Sequence, residues 1–329
     1  MKKVIRIILI AVVILIILGV GGCSVMIHLI NERNKNYYKY ATPQGEIEAK
    51  YTDLGPYDVT QVEYDANNAV YGKYEIWYPA ELQDSTQKYP LVVMANGTGI
   101  KASQYKEVFC HLASWGFIVI GNEDENSRTG ESSAAALEFV LNENASIDSI
   151  FYGKIDKENI GIAGHSQGGF GAINAVTSQA NGINYKAVFA ASTTSRYHAD
   201  ELNKAGDGWS CDLVKMNIPV FMVAGTGHVD AGNMDAYSSG QLPEGNAQGI
   251  CPLWWLQECY DMIPDSNGKV IARMVGKDHG DMLRSSDAYM TAWFMYWLQG
   301  DTKAGKAFCG TGAEIFNNSN YQDVRDNIN

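Results

Sequence analysis

The sequence carries no basic patch, no phosphate-cradling glycine loop and no internal repeat. Its 25 lysines and arginines stand against 37 aspartates and glutamates, a formal net charge of −12. A chain this acidic repels phosphate backbones, which makes nucleic acid a poor candidate partner. Metal-ligand spacing is missing as well: Cys251 and Cys259 have no paired histidines beside them, so neither a metal nor a cofactor is expected. What is present argues against wholesale disorder. With 46% apolar and only 19% charged residues, the chain can bury a substantial core in one large domain or two modest ones.

At the N-terminus, Lys2, Lys3 and Arg6 precede a run from Ile7 to Ile30 without Asp, Glu, Lys or Arg. Hydrocarbon is spanned by ~20 helical residues, so the run is long enough, and the positive charge ahead of it places the rest of the chain outside. Three readings follow: an uncleaved signal-anchor, a lipoprotein signal ending at Val20-Gly21-Gly22-Cys23, or simple secretion. The apolar Val25–Ile30 favours the anchor over the lipoprotein, whose tether is usually polar at once. All three export the domain, with membrane attachment through residues 1–30. Residues 31–55 read as a polar stalk and 56–329 as the folded domain. Export makes disulfides possible. Besides Cys23 there are Cys110, Cys211, Cys251, Cys259 and Cys309; one or two bridges are expected among the last four, and a buried thiol at Cys110.

Beyond the stalk, strand and helix patterns alternate. Val59–Tyr64 and Tyr74–Tyr78 have strand composition and could pair as an antiparallel edge. Strands are expected at Leu91–Ala95, Phe117–Ile120, Ile160–Ala163, Ala187–Ala190, Val220–Ala224 and Val270–Val275. Helices are expected at Gln104–Trp115, Ser132–Leu141 and Phe170–Ser178, with an amphipathic helix Asp287–Leu298 closing the pattern. Short apolar strands separated by helices predict an α/β fold with a mostly parallel sheet covered on both faces. A stretch from Gly225 to Pro252, rich in Gly, Ser and Asn, interrupts it, and loops of that length are uncommon unless functional.

The central signal is Ile160-Gly161-Ile162-Ala163-Gly164-His165-Ser166-Gln167-Gly168-Gly169: a strand, then Gly-x-Ser-x-Gly, then a helix. A serine in so sharp a turn has a strained backbone, and side chains two before and two after would collide. Gly164 and Gly168 remove those collisions and expose the Ser166 hydroxyl as a nucleophile. The N–H of Gln167, opening the helix, points at a developing oxyanion. The second oxyanion donor is expected at Thr98, between Gly97 and Gly99 after Leu91–Ala95. An alcohol needs a base, and this fold order places the acid after a later strand and the histidine near the end. His279, following Val270–Val275, is the last histidine of the chain. Asp230, after Val220–Ala224, is the expected acid, with Asp235 and Asp200 in reserve; Asp278 adjoins His279 and could hardly orient its own neighbour's ring.

These residues resemble the dienelactone hydrolase, cutinase and polyester-hydrolase branch of the α/β-hydrolase fold. Tyr89–Val93 with Gly97-Thr98, Leu112–Ile120 and Ile218-Pro219-Val220-Phe221 are similar to that branch's oxyanion strand, helix-to-strand passage and acid strand. The resemblance implies a triad of Ser166, Asp230 and His279 without a catalytic metal. Departures bear on substrate. Plastic-degrading members have an aromatic residue where this chain has Thr98, Met where it has Gln167, and Trp near its Thr194. Trp254 and Trp255 could form another wall or pack in the core. The expected activity is hydrolysis of carboxylic esters, small or polymeric, through an acyl-enzyme; acyl transfer, amide hydrolysis or a catalytically silent binding domain are the alternatives.

Overall fold

Short runs of aliphatic side chains, bounded by turns, build the centre of the molecule. The computed structural model describes residues 32–204, 206, 208–232 and 249–328. The export segment 1–30 with Cys23, and the reserve carboxylate Asp235, lie outside the described residues. The chain divides into two units, Met1–Ala41 and Thr42–Asn329. In the first, Tyr37–Tyr40 form a single 3-10 turn. Among the described residues no helix is long and apolar enough to cross a membrane.

The second unit is built on a sheet of strands β1 (Val59–Asp65), β2 (Lys73–Pro79), β3 (Tyr89–Ala95), β4 (Ile118–Asn122), β5 (Ile155–His165), β6 (Tyr185–Ala191), β7 (Val220–Gly225), β8 (Lys269–Met274) and β9 (Tyr321–Asp326). Their order is β1-β2-β4-β3-β5-β6-β7-β8-β9. From β4 to β8 neighbours run parallel; β1, β2 and β9 are joined antiparallel at the two edges. Every residue of β3, β4, β7 and β8 is buried, as a sheet covered on both faces demands. The longer helices are α1 (Glu46–Thr52), α2 (Lys106–Ser114), α3 (Glu131–Ala145), α4 (Gln167–Thr177), α5 (Arg196–Asn203), α6 (Leu253–Met262) and α7 (Asp287–Gln299). This is the mostly parallel, doubly covered sheet expected from the alternation of patterns, in the α/β-hydrolase arrangement that the resemblance implies. The chain steps from β3 to β4 on one side and then to β5 on the other, so the carboxyl ends of β3 and β5 flank a crevice, the usual ligand position in open α/β sheets.

Four features differ from the sequence-based expectation. The stalk is shorter than 31–55: α1 lies inside it and packs into the body, with Tyr51 fully buried and Glu48 accepting from Asn318 Nδ2 at 2.8 Å. The helix at Asp287–Gln299 is buried on nearly all sides through Phe294 rather than amphipathic, because α1 covers its outer face. A further strand, β9, follows it and adds to β8, its outward residues polar as befits an edge. Finally, Cys110, Cys211, Cys251, Cys259 and Cys309 are all free thiols, so no disulfide forms among the described residues. Cys251 and Cys259 belong to the apolar core, where burial holds their thiols well above the ordinary value, and Cys110 is only half-buried.

His111 ties α1 to the body. One ring nitrogen, Nδ1, meets the Asp287 carboxylate at 2.6 Å, and Nε2 lies 3.2 and 3.0 Å from the carbonyl oxygens of Thr52 and Asp53. Acceptors on both sides require both nitrogens to carry protons. Burial alone would lower the pKa of this imidazole, but the Asp287 charge and these bonds raise it above the ordinary value. A raised pKa contributes stability that is complete below the unfolded value of about 6.5 and is lost as pH rises through the folded one. The urea midpoint should therefore fall from about pH 6.5 upward, and His111→Gln should remove that part of the slope. An identical slope in the variant would show that the pair does not act this way.

Candidate active site

The elbow at Ser166 is made by close packing. Ser166 has φ 58° and ψ −121°, a strained conformation between the end of β5 and the start of α4. A Cβ on Gly164 would overlap the carbonyl oxygen of Gly168, and one on Gly168 would overlap that of Ala95. Only glycine fits at either place, and the serine hydroxyl is left half-exposed above the sheet.

The three side chains expected to act together are brought together. Ser166 Oγ lies 2.9 Å from His279 Nε2, and His279 Nδ1 lies 2.8 Å from Asp230 Oδ1. An ionised carboxylate only accepts, so the Nδ1 proton belongs to this second bond and Nε2 is free to accept from the serine hydroxyl. Asp230 is completely buried. Its other oxygen, Oδ2, accepts from Ser192 Oγ at 2.5 Å and from the Gly225 N–H at 2.7 Å. A buried charge is tolerable when its lone pairs are satisfied, and here they are. The reserve Asp200 sits exposed on α5, away from this chain of bonds.

Two residues beside His279 do work that the sequence did not announce: Asp278, set aside as the orienting acid, and His165. Asp278 does not orient the imidazole; it holds the backbone of both loops. Its Oδ1 accepts from the N–H groups of Asp230 and His279 at 2.9 and 2.8 Å, and its Oδ2 from that of Val229 at 3.1 Å. Burial by itself would raise this carboxyl, but those three N–H groups pull its pKa below the ordinary value. His165 packs its ring 4.9 Å from that of His279 and donates from Nε2 to the His279 carbonyl at 2.7 Å. Burial, and then the neighbouring His279, push its pKa down to about 4, so it is a neutral donor that grips the base's backbone.

The loop after β3 is equally fixed. Asn96 Nδ2 donates to the carbonyls of Asn122 and Asp124 at 2.6 and 2.8 Å, and the Gly97 N–H donates to the Tyr105 hydroxyl at 3.1 Å. Thr98 follows, exposed at the rim. Neither the Thr98 nor the Gln167 N–H donates to an acceptor among the described residues, leaving both for a developing negative charge. Both residues line, with Ser166, a cleft of about 820 Å³. Thr194, where an aromatic residue was expected to be missing, also lines it. Trp254 and Trp255 are core residues of α6 and take no part in the lining; Trp209 does. The constellation can move a proton from a hydroxyl to an imidazole, hold the imidazolium against a buried carboxylate, and offer two N–H groups to an oxyanion.

A bis(hydroxyethyl) terephthalate hydrolase of Streptomyces coelicolor is 30% identical over 131 residues, which cover 38% of this chain and 40% of that protein. The chain thus matches well under half of this relative's length. Residues 34–199, half of the chain, match the PET hydrolase-like family; the match includes Thr98 and Ser166 and stops before Asp230 and His279. The chain belongs to the PET hydrolase-like family of the α/β-hydrolase fold.

Proposed function

We propose that this protein is a serine hydrolase of carboxylic esters. The observation that carries the reading is the continuous bond chain from Ser166 Oγ through His279 to Asp230, 2.9 and 2.8 Å long. His279 takes the hydroxyl proton as Ser166 attacks the ester carbonyl, and the N–H groups of Thr98 and Gln167 stabilise the oxyanion. His279 then protonates the leaving alcohol. Water repeats the sequence on the acyl-enzyme and frees the acid. Asp230 keeps the ring in its working tautomer throughout. The family and the Streptomyces relative, both described by ester substrates, favour esters over amides, and small diesters are the substrates to try first.

A fluorophosphonate probe should label the wild-type protein and not Ser166→Ala, alongside hydrolysis of p-nitrophenyl acetate. Absence of labelling in the wild type would overturn the reading. Asp278 gives a second check, because its three bonds set the spacing of acid and base. Asp278→Ala should lower kcat on that ester about 10–100-fold, the usual consequence of misplacing reacting groups by about 1 Å. Asp278→Asn, which keeps one accepting oxygen, should lose less. Equal wild-type rates in both variants would show that the two loops hold their places without it.

A further inference from the structure

Where a backbone turns left-handed, a protein normally uses glycine, which has no Cβ to clash there. Among the described residues only four others adopt a positive φ: Asn67, Ser166, Ser192 and Asp323. Asn67 and Asp323 are of the types that tolerate this region, since their short polar side chains bond locally. The remaining two are serines. One is the nucleophile. The other, Ser192 at φ 48°, follows directly on the end of β6 and is completely buried. Strain of this kind persists only where the surroundings hold it, and it gathers at working sites.

The bonds that hold Ser192 reach both ends of the proton relay. The carbonyl before it, that of Ala191, accepts the Ser166 N–H at 2.9 Å. Its own N–H donates at 2.7 Å to the carbonyl of Val223 on β7, two residues before the Gly225 N–H that bonds Asp230 Oδ2. Its hydroxyl donates to the same Oδ2 at 2.5 Å, within the short range of an O–H on an ionised carboxylate. The next residue, Thr193, packs so closely on α4 that a Cβ on Gly169 would overlap its side chain. The Ser195 N–H donates to the Ile250 carbonyl at 2.7 Å. The segment is thus pinned to the nucleophile's helix on one side and to the acid's strand and the returning chain on the other. Glycine would relieve the turn at position 192, but it carries no hydroxyl. The strained serine supplies the second donor that Oδ2 accepts.

We propose that Ser192 is the fourth member of the relay: a positioning residue whose hydroxyl fixes the plane of the Asp230 carboxylate, so that Oδ1 stays in line with His279 Nδ1. This rests on the hydrolase reading of Ser166. Two donors from different strands hold Oδ2, and the plane they set passes to the imidazole and from the imidazole to Ser166 Oγ. The Gly225 N–H alone would let that plane turn about the Cβ–Cγ bond.

The test compares Ser192→Ala with Ser192→Gly: both lose the hydroxyl, and only glycine also relieves the backbone. Both should lower kcat on p-nitrophenyl acetate about 10–100-fold, the range for loss of a hydrogen bond to a charged group, with KM little changed. A wild-type kcat in the alanine variant, or a rate restored by glycine, would assign the position to packing or strain and overturn the proposal. The pH profile separates positioning from a loosened fold. Without the Ser192 bond more of the carboxylate's charge faces His279, which favours the imidazolium and should move the acid limb of kcat/KM to higher pH. The other charged or titratable groups around the relay are the same in both variants: His165 on β5, with Arg284 acting on it, His198 on α5, Cys251 on the returning chain and Asp278 beside the base. A slower enzyme whose acid limb keeps its wild-type place would show a structural role alone and overturn the proposal as well. Fluorophosphonate labelling tells the two proposals apart. An unlabelled wild type sinks the hydrolase reading and this one with it; a labelled wild type whose Ser192→Ala variant reacts equally fast sinks only the fourth member.

Discussion

Alanine at position 166 should leave at most about a thousandth of the wild-type kcat on p-nitrophenyl acetate, with losses of up to about a millionfold compatible with such sites. The reason is local. Oγ makes its hydrogen bond only to His279 Nε2 among the described residues, so removing it deletes the attacking atom and little else. The strained backbone at φ 58° is held by the close packing around Gly164 and Gly168, and alanine keeps the Cβ that serine already has. The thermal midpoint should therefore move by no more than a few degrees, as for a substitution that creates no cavity in the core, about 0.5 kcal/mol or less. On the proposed mechanism, what remains of the rate comes from the N–H groups of Thr98 and Gln167. A variant that keeps more than a tenth of the activity would remove Ser166 from the reaction.

Asp230→Asn should cost about 10³–10⁴-fold in kcat, the scale seen when a base is locked in the wrong tautomer. The surroundings dictate which way the new amide turns. At the Oδ2 position it meets two donors, Ser192 Oγ and the Gly225 N–H, and only the amide oxygen can accept from them. The amide nitrogen is therefore forced toward His279 Nδ1, where it donates. The ring must then carry its proton on Nε2, pointing at Ser166, and can no longer take the hydroxyl proton. Geometry survives while the proton relay fails. The variant should fold with a wild-type thermal midpoint, and its fluorophosphonate labelling should slow in step with turnover. Labelling at the wild-type rate would mean that the tautomer is set by something else.

The parts of this molecule that were legible in sequence are those where one local rule is strong. β3 and β7 are unbroken apolar runs and β5 ends in one, and the elbow needs glycines at two fixed offsets from a serine. His279 and Asp230 followed from chain order after their strands. β9 was missed because an edge strand alternates polar residues that look like loop, as in Gln322-Asp323. Trp209 was missed because a lone tryptophan in a polar segment shows nothing of its place beside Phe170. Asp278 was set aside as too close to His279 to orient its ring. That reason holds for side chain on side chain; its actual partners are backbone N–H groups, which no residue pattern announces. The expected disulfides rested on cysteine number in an exported chain, whereas Cys251 and Cys259 are spent on the core.

The bonds around Asp278 have an architectural consequence. The chain leaves the acid's turn at Gly232 and returns at Gly249, and across that gap the Ile250 N–H bonds the Val229 carbonyl at 2.8 Å and the Cys251 N–H bonds the Asp230 carbonyl at 3.1 Å. Departure and arrival are thus stitched to each other, and the acid is stitched to the base's loop. The turn that carries Asp230 is thereby clamped from two sides, by the returning chain at Ile250 and Cys251 and by the loop of His279.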